Sequence, residues 1–292
     1  MNQIHIGDRL VGGPSPLFLI AGPCVIESEQ HCLDLAGFLK DLTARLDLFF
    51  VFKASFDKAN RSSIQSYRGP GLEKGLQVLD KVRRTCDVPV LSDVHEVWQV
   101  APAADVLDVI QIPAFLCRQT DLILAAAASR RVVNVKKGQF LAPWDVRNIV
   151  EKTRKIEGSR LLVTERGSSF GYNNLVVDFK GLPLMRELGC PVVFDATHSV
   201  QLPGGGGTVS GGQSALIPYL ARAAVAVGID GLFLEVHDRP EQALSDGPNS
   251  LALEQLEPLL RMLQEIDKLV KNQADPQSDQ YAPSHRPKSS GD

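Results

Sequence analysis

The sequence predicts an α/β fold in which residues 1–272 form a single (β/α)8 barrel of the TIM type, with a short β-hairpin before the first strand and a disordered tail over 273–292. Two features predict it. Eight short runs rich in Val, Ile, Leu and Phe alternate with segments of helical spacing, and nearly every run ends in polar or charged residues. Runs that are apolar at consecutive positions read as strands buried on both faces, and strand-helix alternation implies parallel pairing. Eight units within about 250 residues favour closure into a barrel. A doubly wound open sheet is the alternative, weakened because no GxGxxG follows the first run.

Taken in order, Gln3 to Gly12 alternates around Gly7-Asp8 and predicts a small hairpin that plugs the N-terminal end of the barrel. Strands are expected at Phe18 to Cys24, Phe49 to Ser55, Val88 to Val94, Val109 to Ala114, Val132 to Gly138, Leu161 to Gly167, Pro191 to Thr197 and Gly231 to His237. Helical spacing marks Ser28 to Leu46, Gly71 to Cys86, Pro143 to Ile156, Gln213 to Val227 and Leu251 to Val270. The fourth unit is the least regular, because Asp105 to Phe115 reads as a helix end running into a strand. Beyond Asn272 the chain turns to Gln, Asp, Pro, Ser and Lys, which bury too little apolar area to offset the entropy of ordering.

Composition narrows the function classes. The 292 residues are 44% hydrophobic and 22% charged with net charge −3, so no global field recruits nucleic acid or an anionic membrane, and any anion site is local. The start, Met1 to Asp8, lacks the basic and apolar stretches of a signal peptide, and no apolar run is long enough to cross a bilayer, so a cytoplasmic protein is expected. Five cysteines, at 24, 32, 86, 117 and 190, include no CxxC pair, which argues against a disulfide framework and a zinc finger.

In a barrel the C-terminal strand ends face one mouth, where reacting groups gather. Lys53, Lys58, Arg61, Lys136 and Arg166 come from separate strand-and-loop units and would converge there on an anionic substrate. Taken singly, Lys58 and Lys137 fit a solvated loop cation equally well. Cys24, His198, Glu235 and Asp246 form a second constellation, whose mixed sulfur, nitrogen and oxygen donors suit Fe, Zn, Mn or Co. Each has a plainer reading, a buried Cys as a small hydrophobe and a His as a hydrogen-bonded side chain. Two glycine-rich stretches, Arg68 to Gly71 and Pro203 to Gly207, follow the second and seventh runs and suit either lids or mobile surface loops. No GxxxxGK[ST] occurs.

The strand-end motifs also resemble a known family as a set. Ile20-Ala21-Gly22-Pro23-Cys24-Val25-Ile26-Glu27-Ser28 resembles the opening strand of the phosphoenolpyruvate-dependent deoxy-aldulosonate synthases. Lys53-Ala54-Ser55-Phe56-Asp57-Lys58-Ala59-Asn60-Arg61-Ser62-Ser63 is similar to their octulosonate 8-phosphate branch. Asn134 to Phe140, Thr164 to Gly167, Phe194 to Gln201 and Ala243 to Asp246 extend the likeness, which runs from about Ile4 to Val270. The resemblance implies a homotetrameric (β/α)8 enzyme of lipopolysaccharide synthesis that joins phosphoenolpyruvate, D-arabinose 5-phosphate and water. It implies that Lys53, Ser55, Lys58, Gln111, Lys136 and Arg166 hold phosphoenolpyruvate, with Asp93 nearby, and that Asn60, Arg61 and Ser62 grip the aldose phosphate. Lys53, Asp93, Lys136 and His198 are the implied catalytic residues. Cys24, His198, Glu235 and Asp246 are the implied ligands of a divalent metal, because branches that work without metal carry Asn in place of Cys24. One departure is Gly247-Pro248-Asn249 after Asp246, which is closer to the metal-free branch.

Two rivals remain at the level of sequence. A sister synthase using erythrose 4-phosphate shares these features but has Lys-Pro-Arg-Thr where this chain has Lys58-Ala59-Asn60-Arg61-Ser62. A non-catalytic barrel that binds a phosphosugar would share the fold. One prediction follows from composition alone. Deleting Pro276 to Asp292 leaves melting temperature and turnover nearly unchanged, and a large fall in either shows that the segment docks.

Overall fold

The computed structural model describes residues 3–61, 63–204 and 211–272. Ser62, the later glycines of Pro203 to Gly207 and the 273–292 tail, with its expected disorder, lie outside the described residues. Eight parallel strands form the barrel: β1 (Phe18–Gly22), β2 (Phe50–Lys53), β3 (Val90–Asp93), β4 (Val109–Ile112), β5 (Val132–Lys136), β6 (Arg160–Glu165), β7 (Val192–Asp195) and β8 (Gly231–His237). Each pairs with the next. β8 returns to β1, with Gly231 opposite Phe18 and Glu235 opposite Gly22, so the sheet is closed and the open alternative is excluded.

Seven of the strands stop one or two residues before the apolar runs do, while β8 matches its run. The reason is that apolar content reports burial rather than pairing. Cys24, Ala54, Val94 and Ala196 remain buried after their strands have ended. Eight helices surround the sheet: α1 (Glu29–Arg45), α2 (Leu72–Cys86), α3 (Val97–Val106), α4 (Thr120–Ala128), α5 (Val146–Arg154), α6 (Gly181–Arg186), α7 (Ile217–Val227) and α8 (Leu253–Asn272). Ser28 caps α1, its hydroxyl accepting the His31 N–H at 3.1 Å.

α3, α4 and α6 are additions to the five helices the sequence suggested. α3 and α4 are rich in alanine and show little contrast between faces, and α6 has only 6 residues. Three expected helices also begin later. 3-10 turns at Pro143–Asp145 and Ser214–Leu216 precede α5 and α7, and Leu251–Ala252 pairs with Val236 and His237 before α8 starts. The irregular fourth unit resolves as the end of α3, then β4, then a 3-10 turn at Ala114–Leu116.

Strand alternation divides the core into two layers. Leu19, Phe52, Ile110 and Val163 face the helices, whereas Phe18, Ile20, Val51, Leu91 and Phe233 fill the barrel interior. Ile6 and Val11 of the N-terminal hairpin join that inner layer, so the hairpin plugs the barrel floor as the sequence predicts. Gly7, at φ +59, supplies the positive φ that its two-residue turn needs. Gly231 makes room at the floor, since a Cβ there would lie 2.6 Å from a Phe18 ring carbon. No described helix is long and apolar enough to cross a membrane.

Candidate active site

The period of two that places Val51, Leu91, Val109, Val132, Leu162, Val193 and Phe233 inside the barrel carries one step further along each strand. The next inward positions are Lys53, Asp93, Gln111, Asn134, Thr164, Asp195 and Glu235, all buried. An apolar floor is thus overlaid by a polar layer. Every residue proposed from sequence for the site lines one cavity above that layer, except Cys24, Ser55 and the undescribed Ser62.

One side of the layer is a relay of neutral donors ending on a carboxylate. Thr164 Oγ1 donates to Asn134 Oδ1 at 2.7 Å, Asn134 Nδ2 to Gln111 Oε1 at 2.8 Å, and Gln111 Nε2 to Asp93 Oδ1 at 2.6 Å. Ser55 donates its hydroxyl to Asp93 Oδ2. Ser55 therefore orients Asp93 from the neighbouring strand and does not line the cavity, and both ends of the Gln111 amide are engaged. Burial would raise the Asp93 pKa, but Lys58 and Lys53 outweigh it and hold the carboxyl well below its ordinary range.

The other side pairs buried charges. Lys53 Nζ donates to Glu235 Oε1 at 2.6 Å and to the Cys24 carbonyl at 2.9 Å, and Lys58 Nζ stands 3.8 Å from the same Glu235 oxygen. Lys136 donates to Asp195 Oδ2 and lies 3.6 Å from the centre of the Phe233 ring. His198 Nδ1 is 2.7 Å from Asp195 Oδ2. Burial opposes ionisation of Asp195, yet His198 and Lys136 keep its pKa far below the usual value, so the carboxylate only accepts hydrogen bonds. Nδ1 thus faces Asp195, and Nε2 lies 3.6 Å from Glu235 Oε2.

Glu235 Oε2 is itself buried without a hydrogen-bond partner among the described residues. Donor atoms of Cys24, Glu235 and Asp246 lie within 4.8 Å of one another, and His198 reaches that group through Glu235. Burial, then the Glu235 charge, pushes the Cys24 thiol far above its ordinary pKa, and Sγ donates to Asp246 Oδ2 at 3.2 Å. An orphaned carboxylate oxygen, an imidazole nitrogen facing it and a thiol whose ionisation needs a nearby cation form a donor set that suits a borderline divalent ion. The Gly247-Pro248 departure has a local cause. Asp246 has φ +50, and a Cβ on Gly247 would collide with the Pro240 carbonyl, so the tight turn requires a glycine.

Arg166 Nη2 donates to Gln201 Oε1 at 2.9 Å, while Nη1 is buried and unpartnered among the described residues. Gln201 also donates to Asp246 Oδ1 at 3.3 Å, linking the arginine to the acidic group. Arg61, with Asn60 beside it, sits at the rim and donates from Nε to the Tyr67 carbonyl at 3.0 Å. Lys137 points the other way. It is fully buried behind the barrel, 3.6 Å from Glu165 Oε2 and donating to the Leu141 carbonyl, so the solvated-loop reading fails for it. Sequence reasoning assigned no role to Asp195, Asn134, Thr164 or Gln201. Asp195 had a signal, its place at a strand end three residues before His198.

With this geometry in place, comparison with known proteins is informative. Residues 2–272 match the family model described as the DAHP synthetase I family. A protein of Syntrophotalea carbinolica named 2-dehydro-3-deoxyphosphooctonate aldolase is 60% identical over 270 residues, 92% of this chain and 98% of its own length. Proteins of the same name from a Cyanothece species and Coxiella burnetii are 62% and 58% identical, covering 88% and 92% of this chain and 94% and 96% of theirs.

Asp195 compensates two partners at zero exposure, which yields a stability prediction. Asp195→Asn leaves Lys136 buried without a counter-charge and costs about 3–5 kcal/mol in denaturant unfolding. Adding Lys136→Met recovers part of that loss. Simple additivity of the two substitutions would show that the charges are not coupled.

Proposed function

The chain belongs to the DAHP synthetase I family, and from that membership and the cation-lined mouth we propose that it condenses phosphoenolpyruvate with D-arabinose 5-phosphate and water. The products are 3-deoxy-D-manno-octulosonate 8-phosphate and inorganic phosphate, a step of lipopolysaccharide synthesis. The relatives' names support this aldose over erythrose 4-phosphate, as does the Lys58 to Ser62 loop. The observation that carries the reading is the Arg166 guanidinium, with one buried Nη unpartnered at a cavity it shares with Lys58, Lys136 and Arg61. Such a group calls for an anion. A phosphosugar sensor would not need the acidic donors gathered beside it.

In this reading Lys58, Lys136 and Arg166 hold the carboxylate and phosphate of phosphoenolpyruvate, above the Asp93 platform that Ser55 and Gln111 fix. Lys53 positions Glu235 and the Cys24 carbonyl beside them. Asn60 and Arg61, at the rim, grip the aldose phosphate, and the family resemblance adds Ser62 to them. C3 of the enol forms a bond to the aldehyde carbon, whose oxygen takes up a proton to become a hydroxyl. Burial lowers the Lys136 pKa against the pull of Asp195, which makes its ammonium a better proton donor for that oxygen. Water adds at C2, where positive character develops, one of its protons restoring the Lys136 ammonium and the other leaving with phosphate as the tetrahedral carbon collapses to the ketone, a departure favoured by the surrounding cations. A divalent Fe, Zn, Mn or Co ion held by Cys24, His198, Glu235 and Asp246 would supply a Lewis acid, or a template orienting water and aldehyde. The same reading makes 1–272 one catalytic domain of a cytoplasmic homotetramer, with the exposed Phe115 and Phe140 as apolar surface for a second copy.

Phosphate release from phosphoenolpyruvate is expected only when arabinose 5-phosphate is present. Equal release with erythrose 4-phosphate overturns the choice of substrate. Arg61→Ala raises the KM for the aldose phosphate about 10- to 100-fold, the loss of a charge-assisted contact, with little change for phosphoenolpyruvate. Equal weakening of both substrates removes the two-phosphate assignment.

Chelation is expected to abolish turnover, with Fe, Mn, Co or Zn restoring it to differing degrees. Cys24→Ser lowers bound metal measured after dialysis, because a hydroxyl binds a borderline ion less well than a thiolate. Full activity in protein shown to be metal-free takes the metal out of the reaction.

A further inference from the structure

Behind the mouth, on the helix side of β5 and β6, lies a buried ion pair to which no step of the condensation is assigned. The face that carries Val135 and Val163 toward the helices carries Lys137 and Glu165 two residues further on. The ladder sets Lys136 opposite Thr164, so Lys137 and Glu165 stand side by side. Lys137 is 0% exposed and Glu165 2% exposed. Lys137 Nζ donates to the Leu141 carbonyl at 3.0 Å, to Ser168 Oγ at 3.1 Å and to the Gly138 carbonyl at 3.3 Å, and stands 3.6 Å from Glu165 Oε2. Neither residue lines the cavity, so the pair acts only through what it fixes.

Glu165 immediately precedes the arginine of the mouth, and its two oxygens face different partners. Oε2 faces Lys137, while Oε1 accepts the backbone N–H of Arg166 at 3.0 Å and of Gly167 at 2.7 Å. Both N–H groups lie just past the end of β6, where Gly167 has φ +91 and turns the chain. Burial raises the Glu165 pKa, opposed first by Lys137 and then by the two N–H groups, so the carboxylate depends on those partners for its charge. On the other face Arg166 meets Gln201 through Nη2 and holds Nη1 unpartnered among the described residues. The backbone from which that guanidinium extends is thus held by a carboxylate oxygen behind the wall.

We propose that Glu165, oriented by Lys137, is a positioning residue for Arg166 and so for the phosphoenolpyruvate that Arg166 binds. The inference rests on the reading that Arg166 contacts this substrate. A guanidinium clamp on an anion tolerates little displacement, and a shift of the Arg166 backbone is carried along the side chain to the bound group. The aldose phosphate, gripped at the rim by the loop after β2, is not affected.

Steady-state kinetics of two double variants tests the proposal. Lys137→Met/Glu165→Gln and Lys137→Met/Glu165→Leu both replace the pair with uncharged side chains of similar volume, an exchange that buried pairs often tolerate. Only the glutamine keeps an acceptor for the two N–H groups. The leucine variant is expected to raise the KM for phosphoenolpyruvate about 10-fold and the glutamine variant to stay within about 3-fold of wild type, with the KM for arabinose 5-phosphate unchanged in both. If the leucine variant does not fold, Glu165→Gln alone takes its place. With Lys137 present the amide oxygen turns to the ammonium and the NH2 meets the two N–H groups, so the same KM rises, and adding Lys137→Met reverses the rise. Equal KM values for phosphoenolpyruvate in the two compared variants, or parallel losses for both substrates, overturn the positioning role. Arg166→Ala separates that failure from failure of the substrate assignment: it raises the KM for phosphoenolpyruvate if the contact exists, and no rise removes the contact and this inference with it.

Discussion

Glu235 and Asp195 lie at zero exposure inside the barrel, and the polar layer is organised around keeping them charged. A buried carboxylate without compensation protonates or destabilises the fold. Here Lys53 and Lys58 face Glu235, while Lys136 and His198 face Asp195. The cavity is lined by Lys53, Lys58, Arg61, Lys136 and Arg166 against Asp57, Asp93, Glu235 and Asp246, and the buried Asp195 paired with Lys136 brings the carboxylates to five as well. A polyanionic substrate alone would upset that balance, and a divalent ion alone would upset it in the opposite sense. Bound together they offset each other in part, so the substrate and metal readings of the mouth are electrostatically interdependent.

Much of the barrel was legible because its strands carry two signals at once. Uninterrupted apolar runs marked burial on both faces, and β8 was bounded correctly from that alone. α3, α4 and α6 were less legible, since an alanine-rich or very short helix shows little periodicity. At the mouth, residue type and strand-end position found the cavity lining. They could not say which way a side chain pointed, and Lys136 and Lys137 make the case. Adjacent on the chain, they fall on opposite sides of the sheet, one against Asp195 and the other against Glu165. The family resemblance implies Ser55 and Gln111 as substrate contacts, and both also fix Asp93. Partners between strands depend on register, which composition does not report.

The division of labour within each strand has a physical origin. Inward positions near the floor are apolar and packed against the hairpin, so they hold the strands in register without polar groups to satisfy. The next inward positions are polar, and those on β3 to β6 satisfy one another in a chain of hydrogen bonds from Thr164 to Asp93. A chain of this kind is rigid because each amide is used at both ends, which fixes its orientation. From β6 to β4 the layer therefore carries no ionisable group before Asp93, while Lys53, Asp195 and Glu235 stand in the same layer on the other strands.

The loop from Ala243 to Ser250 is where these parts meet. Asp246 takes hydrogen bonds from Cys24 Sγ and from Gln201, which is bound in turn to Arg166. Two residues earlier, the Leu244 N–H is held by Glu27, and its carbonyl is 3.5 Å from Arg61 Nη2. The arginine assigned to the aldose phosphate thus contacts the loop that carries a proposed metal ligand. When Arg61 turns toward a phosphate it must give up or share the Leu244 carbonyl, and the loop loses one of its supports from the rim. Glu27 then remains as the anchor on the other side of Leu244. Holding Asp246 while Arg61 changes partner requires that anchor to stay in place, and Glu27 is itself backed by His237, whose Nε2 lies 3.3 Å from the same Oε1.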